Sequence, residues 1–219
     1  MRLSPLLLLG LLALLTGCHS LSPIQRGGMT LAAMDDPQAA FLVGAVGIAG
    51  TSAVKPDQAR LFLRQRGQEE FINVGIMDDW AVKTSHQIRQ PDGSKATLFA
   101  LPLKPGQYEL YTLSFHFGGS WITPRETFSV PLQIEAGKTY YLGDFRAECV
   151  WRKPARRRDN GTACRFIRHQ SLEAQQAQLR QLFPQIGTVE ALNLRLAPAA
   201  PFIVDMRILE LMESLRSKP

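Results

Sequence analysis

Side chains able to do chemistry are few in this chain, and their spacing builds no recognisable catalytic set. The four histidines, His19, His86, His116 and His169, are scattered, and His116 alternates with Phe115 and Phe117 as an ordinary strand residue does. No Gly-x-Ser-x-Gly elbow and no His-Glu-x-x-His pair occurs. Gly137-Lys138-Thr139 has the ending of a phosphate-binding loop. Leu132 stands where that loop needs its first glycine, and strand-forming residues flank it on both sides. Asp78-Asp79 beside Trp80 offers carboxylates for a cation or a ring for a sugar, and reads more simply as an acidic loop next to a packing tryptophan. The expectation is therefore no catalytic residue, no metal and no cofactor.

Two stretches remain as candidate binding surfaces. Between residues 152 and 168 lie Arg152, Lys153, Arg156, Arg157, Arg158, Arg165 and Arg168 against Asp159 alone, nearly all of the net charge of +6. Arginine suits phosphate and carboxylate through its planar fork of donors. The blander reading is a solvated loop. The second stretch is Gly118-Gly119-Ser120-Trp121-Ile122-Thr123-Pro124, where an aromatic tip in a glycine-rich loop either stacks on a sugar or partner, or folds back as a core plug.

The N-terminus tells where these surfaces would operate. Arg2 precedes the apolar run Leu6 to Leu15, about ten residues, which is too short to span a membrane and fits the apolar part of an export signal. Leu15-Thr16-Gly17-Cys18 resembles the lipobox of bacterial lipoproteins. The resemblance implies cleavage before Cys18 and diacylglycerol on its sulfur, usually with a third acyl chain, enough to hold a protein firmly on a bilayer. The residue after the cysteine is His19 rather than the aspartate that commonly retains lipoproteins at the inner membrane, so the expected site is the outer membrane, facing the periplasm. Residues 1–17 are then the signal and 18–38, rich in Gly, Pro and Asp, a flexible tether. An oxidising compartment also predicts a disulfide between Cys149 and Cys164, worth on the order of 3 kcal/mol for a loop of about fifteen residues. Two buried free thiols are the alternative.

The elements that must position all this are mostly strands. Phe41–Ile48 is a glycine-spaced apolar run, the mark of a buried strand closely approached by a neighbour. Residues 60–64 and 70–76 flank an Arg66-Gly67-Gln68 turn, and Pro91-Asp92-Gly93-Ser94 marks another. Residues 96–103 lead to Lys104-Pro105-Gly106-Gln107, which has type II turn chemistry. Along 107–117 the apolar set changes face, predicting a bulge near Tyr111. Phe128, Val130, Leu132 and Ile134 alternate with polar residues, and Pro131 makes that strand an edge. In 138–151, Tyr141, Phe145, Cys149 and Trp151 are expected on one face, paired through an Asp159-Asn160-Gly161 turn with 162–169, where Cys164 and Phe166 point inward. Helical spacing follows twice: at Leu172, Leu179, Leu182, Phe183 and Ile186, with Ser171 as N-cap and Pro184 as stop, and at Val204, Ile208, Leu211, Met212 and Leu215.

The expected fold is mainly β: an antiparallel sandwich of about 7–8 strands over 39–170, with two C-terminal helices as an appendage over 171–219. Leu103-Lys104-Pro105-Gly106-Gln107-Tyr108-Glu109-Leu110, Phe128-Ser129-Val130 and Gly137-Lys138-Thr139-Tyr140-Tyr141-Leu142-Gly143 together resemble uncharacterised bacterial lipoproteins whose domains are similar to transthyretin-like, immunoglobulin-like sandwiches. The likeness covers roughly residues 40–185 and implies a fold, with no catalytic residues to transfer. The functional expectation is a non-enzymatic binding or accessory module of the cell envelope, held on the membrane through lipidated Cys18. Its partners would be an envelope protein complex, or anionic lipid or glycan met by the basic stretch and Trp121; the location disfavours nucleic acid, and none is expected. An enzyme is the remaining alternative.

Overall fold

In the computed structural model the described residues are 20–78, 83–153, 161–194, 196, 200 and 202–209. The signal region with Cys18 and His19, Asp79 and Trp80, Arg156 to Asn160, and Leu211, Met212 and Leu215 lie outside them.

Two sheets face each other across one core, and a helix covers the far side of one of them. The outer sheet has the order β10 (Ser120–Ile122), β9 (Gly106–Phe117), β4 (Gln58–Gln65), β5 (Phe71–Met77) and β2 (Ile24–Gly27), with β11 (Val130–Ile134) also on β9. The inner sheet runs β15 (Ile203–Asp205), β13 (Thr162–His169), β12 (Thr139–Trp151), β3 (Ala40–Ile48), β8 (Lys95–Leu103) and β7 (Gln87–Arg89), with β14 (Val189–Ala191) also on β12. A short parallel pair, β1 (Ser20–Leu21) and β6 (Lys83–Thr84), stands apart.

Alternation explains which sheet is which. In β4, Ala59, Leu61 and Leu63 are buried while Gln58, Arg60, Phe62 and Arg64 point away, so only one face of the outer sheet meets the core. β3 is buried at all nine positions. Its Leu42, Val46 and Ile48 join the inter-sheet core, and Phe41, Val43 and Ala45 pack in a second core beneath helix α1 (Leu172–Leu182) with Leu179, Phe183 and Ile186. Burial on both faces suits the parallel pairing of β3 with β12 at the centre of the inner sheet. The close approach expected of the glycines is real: a Cβ on Gly44 would stand 2.6 Å from the carbonyl oxygen of Gly143.

Several expectations change in the structure. The outer sheet is antiparallel in all its strand pairs, as expected, but the inner sheet is mixed, since β12 takes β3 and β14 in parallel and β13 takes β15. Among the described residues eleven strands fall within 39–170 where seven or eight were expected, because three of them, β6, β7 and β10, have only two or three residues and carry no period-two signal. Residues 20–38 are no free tether: Ile24–Gly27 pairs with β5, and Met29 enters the core. The C-terminal stretch is not an appendage, since its strands complete the inner sheet. Val204 belongs to β15, and helix begins only at Met206. Lys104-Pro105-Gly106 carries the chain from one sheet to the other with Gly106 near-extended at φ 159°, so no type II turn forms. Tyr108 anchors that crossing by donating its hydroxyl to the Lys104 carbonyl at 2.8 Å, in the manner of a tyrosine corner. Tyr141 does not share the face of Phe145 and Cys149. The register with β3 skips Leu142, which turns Tyr141 toward the helix, where its hydroxyl donates to Gln175 Oε1 at 3.1 Å and burial pushes its pKa up.

The predicted bulge is found at Tyr111: Phe62 pairs with Thr112 and Leu63 with Leu110, leaving Tyr111 unpaired. Among the described residues β11 pairs with β9 alone, with Phe128, Val130, Leu132 and Ile134 buried and Pro131 exposed.

A further irregularity concerns Arg168. The same edge of β12 is covered by β14 at residues 139–141 and by β13 at 144–151, so the carbonyl of Leu142 falls in the break between them. Arg168 fills that break, donating from Nε to the Leu142 carbonyl at 2.8 Å, from Nη2 to the Leu192 carbonyl at 2.9 Å and from Nη1 to Asp205 at 3.0 Å. Gly143 makes this possible, because a Cβ there would lie 2.7 Å from Arg168 Nε.

Candidate functional site

Cys149 and Cys164 sit directly opposite each other in the β12–β13 pair and are bonded as a disulfide, fifteen residues apart in sequence. The hairpin is also tied to the crossover between the sheets: Cys149 N–H donates to Ser52 Oγ at 2.9 Å, and Ser52 Oγ donates to the Val54 carbonyl at 2.7 Å. Beyond the disulfide the β12 arm is exposed from Val150 to Lys153, while Thr162 and Ala163 on the β13 arm are half-buried. Trp151 continues the face of Phe145 and Cys149, yet it has no core left to enter and is 67% exposed. Val150, Arg152 and Lys153 are exposed beside it.

The basic stretch is smaller than its sequence suggests. Arg168 is buried inside the sheet, and Arg165 pairs with its cross-strand neighbour Glu148 at 2.6 Å. Among described residues the cationic tip is Arg152 and Lys153; Arg156, Arg157 and Arg158 continue it in sequence.

Trp121 lies on the outer sheet. Gly118 and Gly119, at φ 45° and 107°, make the two-residue turn that joins β9 to β10; a primed hairpin turn needs positive φ at both positions. Asp57 fixes the turn by accepting the Gly118 N–H at 2.7 Å. Trp121 does not fold back as a plug. It is 52% exposed, its ring 4.6 Å from that of His116, with the Arg60 guanidinium 5.7 Å from its centroid. Residues 49–57 bond to both hairpins, through Val54 to Cys149 and through Asp57 to His116 and Gly118, so the two lie at one end of the sandwich on different sheets. The hairpin tip and Trp121 are thus two surfaces rather than one.

Sequence reasoning passed over the outward row of β4. Arg64 donates to Glu109 at 2.7 Å and lies over Tyr111 at 4.5 Å, while Glu109 also accepts from Ser129. Arg60 instead donates to two neutral amides, Gln25 Oε1 and Gln58 Oε1, and desolvation lowers its pKa. Its stem crosses Gly75, where a Cβ would meet it at 2.6 Å. The signal available in the sequence was the alternation Gln58, Arg60, Phe62, Arg64, which marks an outward face without saying which arginine has an acid beside it.

The remaining motifs build no reaction centre. Gly137, at φ 68°, turns β11 into β12, so a strand and not a helix follows Lys138-Thr139. His86 packs its ring on Phe183. Among the described residues no group of three His, Cys, Asp or Glu stands close enough to hold a metal ion, and no helix is long and apolar enough to cross a membrane. Comparison with protein families, with curated proteins and with solved structures found no match to this chain.

Proposed function

We propose that this chain is a lipid-anchored, non-enzymatic binding or accessory module of the bacterial outer membrane, tethered through Cys18, whose β12–β13 hairpin engages anionic lipid. The observation that carries the reading is Trp151, 67% exposed beside Arg152 and Lys153 at the end of a cross-linked hairpin. Tryptophan suits the boundary between headgroups and acyl chains, and each cation near an anionic surface adds about 1 kcal/mol. Arg156, Arg157 and Arg158 extend that charge in sequence. The transthyretin-like reading belongs here as well: two facing sheets and the tyrosine corner at Lys104-Tyr108 support it, and the parallel pairs of the inner sheet depart from a purely antiparallel sandwich.

The test uses the Cys18→Ser chain, without its anchor, and vesicles of phosphatidylcholine with or without phosphatidylglycerol. Binding only to the anionic vesicles, weakened by salt and lost in Trp151→Ala and in Arg152→Glu/Lys153→Glu, is the expected result. Equal binding to both vesicle types, or no effect of these variants, overturns it. Crosslinking of the lipidated chain in intact cells to one stoichiometric protein would replace the lipid by that protein as the hairpin's partner.

A further inference from the structure

We infer that the open face of the outer sheet is a second binding site, centred on Arg60 and Trp121, and that it takes a carboxylated sugar unit of an acidic glycan. Arg60 carries the argument. Among the described residues it is the one arginine at least half-buried without a carboxylate partner: Arg64 has Glu109, Arg146 has Asp144, Arg165 has Glu148 and Arg168 has Asp205. Two amide oxygens orient its guanidinium through Nη1 and Nη2, and amides leave its charge unneutralised among the described residues.

Its neighbours complete the site. Directly across β9 from Arg60 is Ser114, 2% exposed, whose Oγ has no hydrogen-bond partner. Two pairs further along, opposite Gln58, the buried Nδ1 of His116 also lacks a hydrogen bond, its nearest carboxylate oxygen being that of Asp57 at 3.7 Å. A water-sized cleft lined by Pro23, Gln25, Asn73 and Thr84 lies beside Arg60. The exposed indole of Trp121 supplies a flat apolar platform, the amides and hydroxyls supply neutral donors and acceptors, and Arg60 supplies one uncompensated positive charge. A sugar ring stacked on the indole, its carboxylate on the Arg60 fork and its hydroxyls on the amides, answers all three.

The site is independent of the hairpin, and the experiment keeps the two apart. Titration calorimetry of the Cys18→Ser chain with oligogalacturonate, against the same oligomer with its carboxyl groups reduced to alcohols, should show saturable binding that is roughly tenfold or more weaker for the neutral oligomer. Arg60→Met keeps the stem over Gly75, and it and Trp121→Ala should each weaken binding by a similar factor. Gln58→Glu is the decisive variant. It keeps the oxygen that accepts from Arg60 while placing a carboxylate against it, so the protein should fold with undiminished stability and lose the acidic glycan. Arg152→Glu/Lys153→Glu should change nothing. No binding of oligogalacturonate, equal binding of the reduced oligomer, or full binding by Gln58→Glu overturns the site. Loss of binding in the hairpin variant would move the glycan to the hairpin, and equally overturns it.

Discussion

The two sheets treat charge in opposite ways. On the inner sheet Arg146 and Arg168 are almost fully buried, and each faces an aspartate: Asp144 at 2.6 Å and Asp205 at 3.0 Å. On the outer sheet Arg60 and Arg64 lie on a face that no described element covers, and among the described residues only Arg64 of the two has an acid. The helix accounts for the difference. Once α1 and the C-terminal strands seal the inner sheet, an unpaired cation there would cost several kcal/mol, so every charge in it must be matched. Water still reaches the outer sheet, which can tolerate an unmatched arginine. Charge in the inner sheet serves the fold, and charge on the outer sheet is available to a ligand.

The sharpest way to break this contrast is to remove an arginine from each sheet. Arg168→Met leaves Asp205 buried without its deepest partner and frees the carbonyls of Leu142 and Leu192 in the break between β13 and β14. Its expected cost is about 3–5 kcal/mol, the range for a broken buried pair. Arg60→Met, which strands no carboxylate, should stay within about 1 kcal/mol. Urea midpoints of the two variants decide the matter, and equal losses would mean that the outer sheet depends on its charge as the inner one does.

Next in size is the disulfide. Cys149→Ala/Cys164→Ala should lower stability by about 3 kcal/mol by releasing a loop of that length in the unfolded chain. The inner sheet should bear the loss: amide exchange ought to rise along β12 and β13 beyond Ala147, while β4 and β9 keep their relative protection. A uniform rise across both sheets would show that the hairpin and the outer sheet open as one unit.

How much of this was legible in the sequence depended on whether one face met water. Val130–Ile134 alternates because Pro131 and Gln133 face solvent, and the bulge at Tyr111 shows as a slip in the same alternation. The inner sheet hides its construction. A strand buried on both faces, like Ala40–Ile48, gives an unbroken apolar run that names no partner, and so gave no sign of parallel pairing with β12. β14 and β15 are three residues each, too short for any period, and their neighbours dictate their pairing. The disulfide pair and the inward Phe166 were readable from the alternation of β12 and β13. Arg168 was not, since in sequence it looks like one more member of a basic run. Arg60 was missed for the related reason that the absence of a carboxylate is a fact about three-dimensional neighbours.

The smallest expected effect concerns Arg64 and Glu109, the matched pair on the open sheet. Burial alone would raise the Glu109 pKa, but the bonds from Ser129 and Arg64 and the charge of Arg64 outweigh it and hold the carboxyl below its ordinary value. A carboxyl lowered on folding adds stability above its unfolded pKa, near 4.3, and that stability is lost as pH falls through the lower folded value. Asp205 is lowered in the same way: its burial is outweighed by hydrogen bonds from Arg207 and the charge of Arg168. The two carboxyls therefore share one acid limb and differ in size. Arg64 is partly exposed, so water screens its pair, and Glu109→Gln should cost less than about 1 kcal/mol at neutral pH. That difference should vanish once Glu109 itself is protonated at low pH. Stability profiles of wild type and Glu109→Gln from pH 7 to pH 2 test this, with convergence at the acid end expected. Parallel curves would assign the loss to the packing of Glu109 against Ser129 and would leave the outer sheet with no charge contribution to stability.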